Sequence, residues 1–378
     1  MKAFLVSKNE AGQRLDKLLA KYMDTAPKSF FYKMLRKKNI TLNGKKAEGS
    51  EKVAEGDEIR LFLSEETILG FQSEKRRADL SEALDGRKEN GTLTKGIPML
   101  KEHEIVYEGN HLLIVNKPAG ELSQKAKKDD ISINERIVEY LRVTQGIGLD
   151  SFTPGVCNRL DRNTTGLLIA GKSLAGLQEA AELLKQRTLH KFYLCIVAGK
   201  ADKPRHLTGY LKKDESTNTV NVVSAEEFKK QGVSPRDYDR IETELRPLLT
   251  NGTATLLAIQ LITGKTHQIR AHLASVGLPL LGDTKYGKEY IGKGETTAVE
   301  QIGSLNRTLH LRYQLLHAYL LQFPKLAGAL SEVSEKTITV EPPAKFARAA
   351  EELFGKEEWK DAILEFKRTA RLGTGGAD

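Results

Sequence analysis

The stretch Cys157–Gly171, "CNRLDRNTTGLLIAG", sets one carboxylate, Asp161, between two arginines, Arg159 and Arg162, just ahead of an apolar run. "GLLIA" (166–170) reads as a buried strand, because a short continuous apolar run suits a strand covered on both faces. The polar residues before it then form a loop at the strand's entry. A surface ion network accounts for Arg159, Asp161 and Arg162 when the stretch is taken alone. A catalytic carboxylate is the other account. An Asp acts as nucleophile or base only when ionised, and adjacent cations lower its pKa.

The flanks supply the rest of the fold. "SLAGLQEAAELLKQR" (173–187) predicts a helix with Ser173 as N-cap and Leu174, Leu177, Ala181 and Leu184 on one face. "KFYLCIVAG" (191–199), "NTVNVV" (218–223) and "TATLLAIQLITG" (253–264) read as strands, and "THQIRAHLASVG" (266–277) as a helix ending at Gly277. Upstream, strands over 104–107 and 111–116 flank a Gly-Asn turn, and 131–142 look helical. "KTITVEPP" (336–343) is a late strand, and short helices near 344–353 and 357–369 precede the terminal "GTGGAD". The pattern is a mixed sheet with helices packed on it, not a regular βαβ series.

At the N-terminus, residues 13–23 form an amphipathic helix closed by Pro27, and 29–38 a second one with Ser29 as N-cap. "NITLNGKK" (39–46) is a short strand with an Asn-Gly turn, and "GDEIRLFL" (56–63) another strand. Segment 27–46 holds seven cations, Lys28, Lys33, Arg36, Lys37, Lys38, Lys45 and Lys46, and no Asp or Glu; Phe30, Phe31 and Tyr32 sit among them. A solvated helix face with the aromatics in the core explains charge alone. The absence of any acid favours a phosphate-binding surface. Residues 64–100 and 288–306 are polar and aperiodic and read as a linker and an insertion.

The chain has 378 residues, a net charge of +9, 39% hydrophobic and 29% charged residues, which fits a soluble protein of two or three domains with a polyanionic partner. Two cysteines, Cys157 and Cys195, exclude a disulfide framework and suit a reducing cytoplasm. No signal peptide or membrane-spanning run is visible. His267, His272, His310 and His317 form no HExxH, and "LITGKTHQ" lacks the GxxxxGK[ST] spacing, so neither a metal nor a nucleoside triphosphate site is expected. Arg270 lies three residues after His267 on one helix face and offers Asp161 a further cation. Tyr193 shares a strand face with Lys191, opposite Phe192; it is a core tyrosine, or one facing a pocket where it stacks on a base or moves a proton.

Together these pieces resemble the RluA family of pseudouridine synthases, in its RluC/RluD type. "IVYEGNHLLIVNKPAG" resembles the opening hairpin, "NRLDRNTTGLLIAGKS" the signature, "KFYLCIVAG" the tyrosine strand, "LITGKTHQIRAHLASVGLPLLGDTKYG" a long specific block and "LLHAYLLQF" the C-terminal element. Residues 13–63 are similar to the S-four type of RNA-binding module. Three positions depart from the family pattern: Asn158 stands for His, Thr165 for Ser and Lys265 for Arg.

The resemblance implies an α+β fold with a mixed, mainly antiparallel sheet, flanking helices and a small α/β RNA-binding module. It divides the chain into that module (1–63), a linker (64–100), a catalytic domain (101–345) and a helical extension (346–378). It implies isomerisation of uridine to pseudouridine in structured RNA, with large-subunit ribosomal RNA as substrate and transfer RNA as the alternative, and neither cofactor nor metal. Asp161 is then the catalytic carboxylate, Tyr193 the active-site tyrosine and Arg270 the partner of Asp161. Arg159 enters the RNA stack where the target nucleotide leaves; Arg162 and the seven N-terminal cations contact RNA. Asp161 acts through a covalent adduct or through proton removal at the ribose. A cytoplasmic monomer is the default. Two rivals remain: a non-catalytic RNA-binding or ribosome-assembly protein, which needs no Asp161–Tyr193–Arg270 set, and a sugar-processing enzyme, which would want two acids flanking a bond.

Overall fold

A computed structural model describes residues 2–7, 9–74, 97–127, 129–145, 152–214, 216–217, 219–231, 237–287 and 296–372. The N-terminal module begins with β1 (Lys2–Leu5), followed by helices Leu15–Tyr22 and Lys28–Arg36 and by β2 (Ile40–Leu42), β3 (Lys45–Lys46) and β4 (Glu58–Leu61). Its antiparallel sheet runs β1-β4-β2-β3. Leu15, Leu18, Leu19, Phe31, Leu35, Ile40, Ile59 and Leu61 form its own core. Asn43 and Gly44, both at positive φ, close the β2–β3 hairpin as the Asn-Gly pair requires.

Two local expectations change here, and one strand, β1, is added. Pro27, not Ser29, occupies the N-cap of the second helix, its fixed φ already suiting the entry. β1 joins the sheet although its residues do not alternate cleanly. The segment read as a linker contains helix Glu65–Gly70, whose N-cap Ser64 accepts from the Thr67 amide and whose Ile68 is buried. Residues 75–96 of that segment, 288–295 of the second insertion and 373–378 lie outside the described residues.

The second sheet contains β5 (Ile105–Glu108), β6 (Leu112–Lys117), β7 (Gly155–Val156), β8 (Thr165–Gly171), β9 (His190–Ala198), β10 (Arg205–Asp214), β11 (Thr219–Ser224), β12 (Asp239–Thr250), β13 (Ala254–Leu261), β14 (Leu316–Gln322) and β15 (Thr337–Thr339). Its order is β11-β10-β12-β13-β9-β14-β8-β6-β5, with β15 on β14 and β7 on β8. Among the described residues the pairs are antiparallel except β14 with β8. The fold is therefore α+β with a mixed, mainly antiparallel sheet. β10 and β12 carry no turn-bounded apolar run of their own; β14 lies within "LLHAYLLQF", an apolar stretch ended by Pro324.

The parallel pair depends on Gly166. Ala318 faces it in register, its φ is +104°, and a Cβ there would come 2.2 Å from the Ala318 carbonyl oxygen. No other residue fits that approach.

Alternate residues of β9 face two cores. Tyr193, Cys195 and Val197 pack with Leu257, Ile259, Ile269 and Leu273. Leu194 and Ile196 pack with Leu256, Phe346, Trp359 and Phe366, so helices Ala344–Phe354 and Glu358–Leu372 cover the far face. Helix Leu174–Gln186 is capped by Ser173, as expected, but it turns Gly176, Ala180 and Leu183 inward and leaves Ala181 exposed. The reason is close packing: a Cβ at Gly176 would come 2.2 Å from the His111 carbonyl oxygen, so the helix meets the sheet through its smallest residues. Among the described residues no helix is long and apolar enough to cross a membrane.

Candidate active site

The loop that carries Asp161 is fixed at nearly every residue. The Cys157 amide donates to the Ile169 carbonyl at 2.7 Å, and Asn158 Oδ1 accepts from the Ile169 amide at 2.9 Å. The Ser123 hydroxyl donates to the Leu160 carbonyl at 2.8 Å and accepts from the Leu160 amide at 2.9 Å. Asp161 opens a turn whose carbonyl accepts from the Thr164 amide at 3.0 Å. The Arg162 carbonyl accepts from the Gly120 amide at 3.0 Å and from Lys117 Nζ at 2.8 Å. Lys117 is fully buried, and burial pushes its pKa down to about 8. Glu121 in the adjacent segment is held by Arg136, which also pairs with Glu104 at 2.6 Å.

Asp161 reaches Arg270 across this frame: Nη1 donates to Oδ2 at 3.0 Å. Arg270 stands in helix Gln268–Ser275, and its other nitrogens are committed. Nε donates to Asp283 Oδ2 at 2.7 Å and Nη2 to Asp283 Oδ1 at 3.0 Å. The Asp283 side chain is completely buried, and it also accepts from the Lys285 and Tyr286 amides at 2.9 and 3.1 Å. Burial alone would raise the Asp283 pKa; the hydrogen bonds and charge of Arg270 hold it below the usual carboxylate range. Burial works against the Arg270 charge, but Asp283 and Asp161 keep it raised, so Arg270 stays a cation. Its guanidinium lies 5.2 Å from the Tyr286 ring centre.

Arg159, Asp161, Tyr193, Lys265, His267 and Arg270 line one shallow, open cleft, with Leu261, Ile269 and Leu316 as its apolar wall. Tyr193 is 5% exposed; burial first, and then the negative charge of Asp161, push its pKa up, so it remains a neutral phenol. His267 is the N-cap of the Arg270 helix, at φ 54°, and shares a hydrogen bond with Tyr286 OH at 2.9 Å. Phe192, next to Tyr193, lines a separate hollow on the far side of the sheet, beside Phe366.

The structure thus brings Asp161, Tyr193, Arg270 and Arg159 together. Arg162 is exposed beside them. The N-terminal cations form a separate surface: Lys28, Lys33, Arg36, Lys37, Lys38, Lys45 and Lys46 are all exposed. Asp283, Ser123 and Lys117 escaped the sequence reading. "GDTKY" held a signal for Asp283, since an Asp after a turn glycine commonly accepts from amides two and three residues on. The three departures each have a partner: Asn158 on Ile169, Lys265 on Asp239 at 2.6 Å, and Thr165 on His317 at 2.8 Å.

A rigid loop presenting one carboxylate, backed by a cation, beside a neutral tyrosine suits a reaction at one bound nucleotide. A family model described as RNA pseudouridylate synthase matches residues 111–275, the span from β6 to the helix of Arg270. The ribosomal large subunit pseudouridine synthase C of Vibrio cholerae is 30% identical over 285 residues, 75% of this chain and 79% of that protein. An uncharacterized RNA pseudouridine synthase of Mycoplasma genitalium is 29% identical over 330 residues, 85% of this chain and 89% of that one. Among solved structures, human RNA pseudouridylate synthase domain containing 4 shares the fold, with a TM-score of 0.50 at 21% identity over 72% of this chain and 96% of that chain. The chain belongs to the RNA pseudouridine synthases, in the RluC/RluD type of the RluA family, and isomerises uridine to pseudouridine in RNA.

Proposed function

We propose that Asp161 is the catalytic carboxylate, that Tyr193 and Arg270 complete the site, and that the substrate is large-subunit ribosomal RNA. The observation that carries the reading is the convergence of Asp161, Tyr193 and Arg270 on one cleft from three different elements. The names of relatives such as the Vibrio cholerae protein support the ribosomal substrate.

The reaction breaks the bond from ribose C1′ to uracil N1, turns the base and joins C5 to C1′. C5 loses a proton and N1 gains one, so atoms and electrons balance without a co-reactant. The target uridine leaves its stack, at a cost of about a few kcal/mol. Arg159, exposed at the cleft edge, fills the vacancy with a flat guanidinium. Arg162 beside it grips a phosphate. Asp161, aimed by Arg270, acts on the ribose as nucleophile or as base; the same placement serves either step. Tyr193, a neutral phenol, packs against the uracil face and excludes water from the reacting carbons.

Residues 1–63 serve as the RNA-binding module of an S-four type, with Lys28, Lys33, Arg36, Lys37, Lys38, Lys45 and Lys46 on phosphates. Residues 101–345 form the catalytic domain and 346–378 an extension, whose described part, up to Leu372, is helical and covers the far face of the sheet. The protein works as a cytoplasmic monomer. Tritium release from ribosomal and transfer RNA carrying 5-tritiated uridine tests the substrate. Release from large-subunit ribosomal RNA is expected; release from transfer RNA alone contradicts it.

A further inference from the structure

Segment 27–46 contains three consecutive aromatics, and the structure gives them different fates. Phe31 is 1% exposed, in the core of the module. Phe30 packs on Phe71, ring centres 4.5 Å apart. Tyr32 is 43% exposed. On helix Lys28–Arg36 it stands between Lys28 and Arg36 at intervals of four residues, so the three form one outward row, with Lys33 and Lys37 in the next.

Tyr32 is outward but not loose. Its hydroxyl donates to Asp16 Oδ2 at 2.9 Å, and Asp16 is held by Arg14 through two bonds of 3.0 Å. Gly49 lies against the ring edge: a Cβ there would come 3.4 Å from Tyr32 Cε1. Asp16 also raises the Tyr32 pKa, which keeps the hydroxyl as donor. The hydroxyl and one edge of the ring are held, and the rest of it stays exposed in the middle of a cationic row. Fixed in place, it loses little conformational freedom when a second ring lies on it. Cations that track a backbone, interleaved with an aromatic face, are the composition of a surface for unpaired nucleotides.

We propose that Tyr32 is a stacking platform for an unpaired base of the substrate RNA, and that the module therefore takes a loop, bulge or single-stranded segment in preference to plain duplex. This rests on the reading of residues 1–63 as an RNA-binding module and names the RNA class that module takes.

The test uses the full-length protein, a fluorescent RNA hairpin with a single-stranded loop, and a fully paired RNA of equal length, titrated at several salt concentrations. Tyr32→Ala weakens hairpin binding by about 5- to 150-fold, the worth of one stacked base. Its salt slope stays that of the wild type, because no phosphate contact is lost, and duplex binding is unchanged. Tyr32→Trp binds the hairpin as well as the wild type or better, although it lacks the hydroxyl held by Asp16. Lys33→Ala with Arg36→Ala instead flattens the salt slope for both RNAs. If the lysine–arginine variant weakens binding and Tyr32→Ala does not, the platform is overturned and the module reading stands. If neither changes affinity, both are overturned.

Discussion

Arg270 gives one guanidinium nitrogen to Asp161, at 3.0 Å, and its other two donors to Asp283, at 2.7 and 3.0 Å. The buried carboxylate of Asp283 holds the guanidinium from behind, and the exposed edge of the cleft receives what remains of it. Gly282 makes that possible: a Cβ there would come 2.0 Å from the Tyr313 carbonyl oxygen, so only glycine lets the chain approach as Asp283 enters the core. Asp283→Ala leaves a buried cation half-paired and costs about 3–5 kcal/mol. Urea unfolding checks this, and a loss below about 1 kcal/mol would mean that Asp283 does not anchor Arg270.

Ser123 gives the loop its second anchor. One hydroxyl satisfies both backbone groups of Leu160, the residue before Asp161. Ser123→Ala removes both bonds inside the protein and costs about 1–3 kcal/mol of stability. Displacing Asp161 slows turnover by about 10- to 100-fold while RNA affinity holds. Single-turnover rates beside filter-binding constants separate the two effects; a matching fall in affinity would show that Ser123 serves RNA binding instead.

Stability depends on pH through two buried histidines. His317 is fully buried, with Nε2–H donating to the Val340 carbonyl at 3.0 Å and Nδ1 accepting from Thr165. Burial lowers its pKa, and that of His272, from 6.5 to about 4; Arg205 and His206 add to the shift at His272. Between those values the unfolded chain binds more protons than the folded one. Stability is therefore complete above pH 6.5 and falls as pH drops toward 4. Each histidine contributes a slope of about 1.4 kcal/mol per pH unit. His317→Gln is less stable at neutral pH, and its urea midpoint varies less between pH 4.5 and 6.5 than that of the wild type, a window set by the His317 shift. An unchanged slope would refute the assignment.

The loop of the candidate site was legible in the sequence because its residues are local, whereas Arg270, 109 positions from Asp161, was paired with it through the family resemblance. Asp161, Arg159 and Arg162 fall within four residues, the strand behind them is uninterrupted and apolar, and Tyr193 keeps its place by strand alternation. What was not legible depends on contacts far apart in the chain. Ser123 meets Leu160 across 37 positions, and nothing near Ser123 marks it. Helix Leu174–Gln186 was rotated wrongly because its inward side is set by how closely Gly176 can approach His111, which outweighs the positions of its leucines. Tyr32 was grouped with two other aromatics that have opposite surroundings. β10 and β12 follow from pairing with neighbours, not from their own composition.

In the proposed mechanism the carboxylate of Asp161 performs the chemistry while RNA is held elsewhere. Asp161→Asn keeps the side chain's size and its contact with Arg270 but removes the charge. Tritium release from 5-tritiated uridine RNA, measured on this variant alongside its RNA affinity, tests the claim most directly. Turnover should fall by about 10²- to 10⁴-fold or more, with affinity close to that of the wild type. Turnover near the wild-type rate would contradict it.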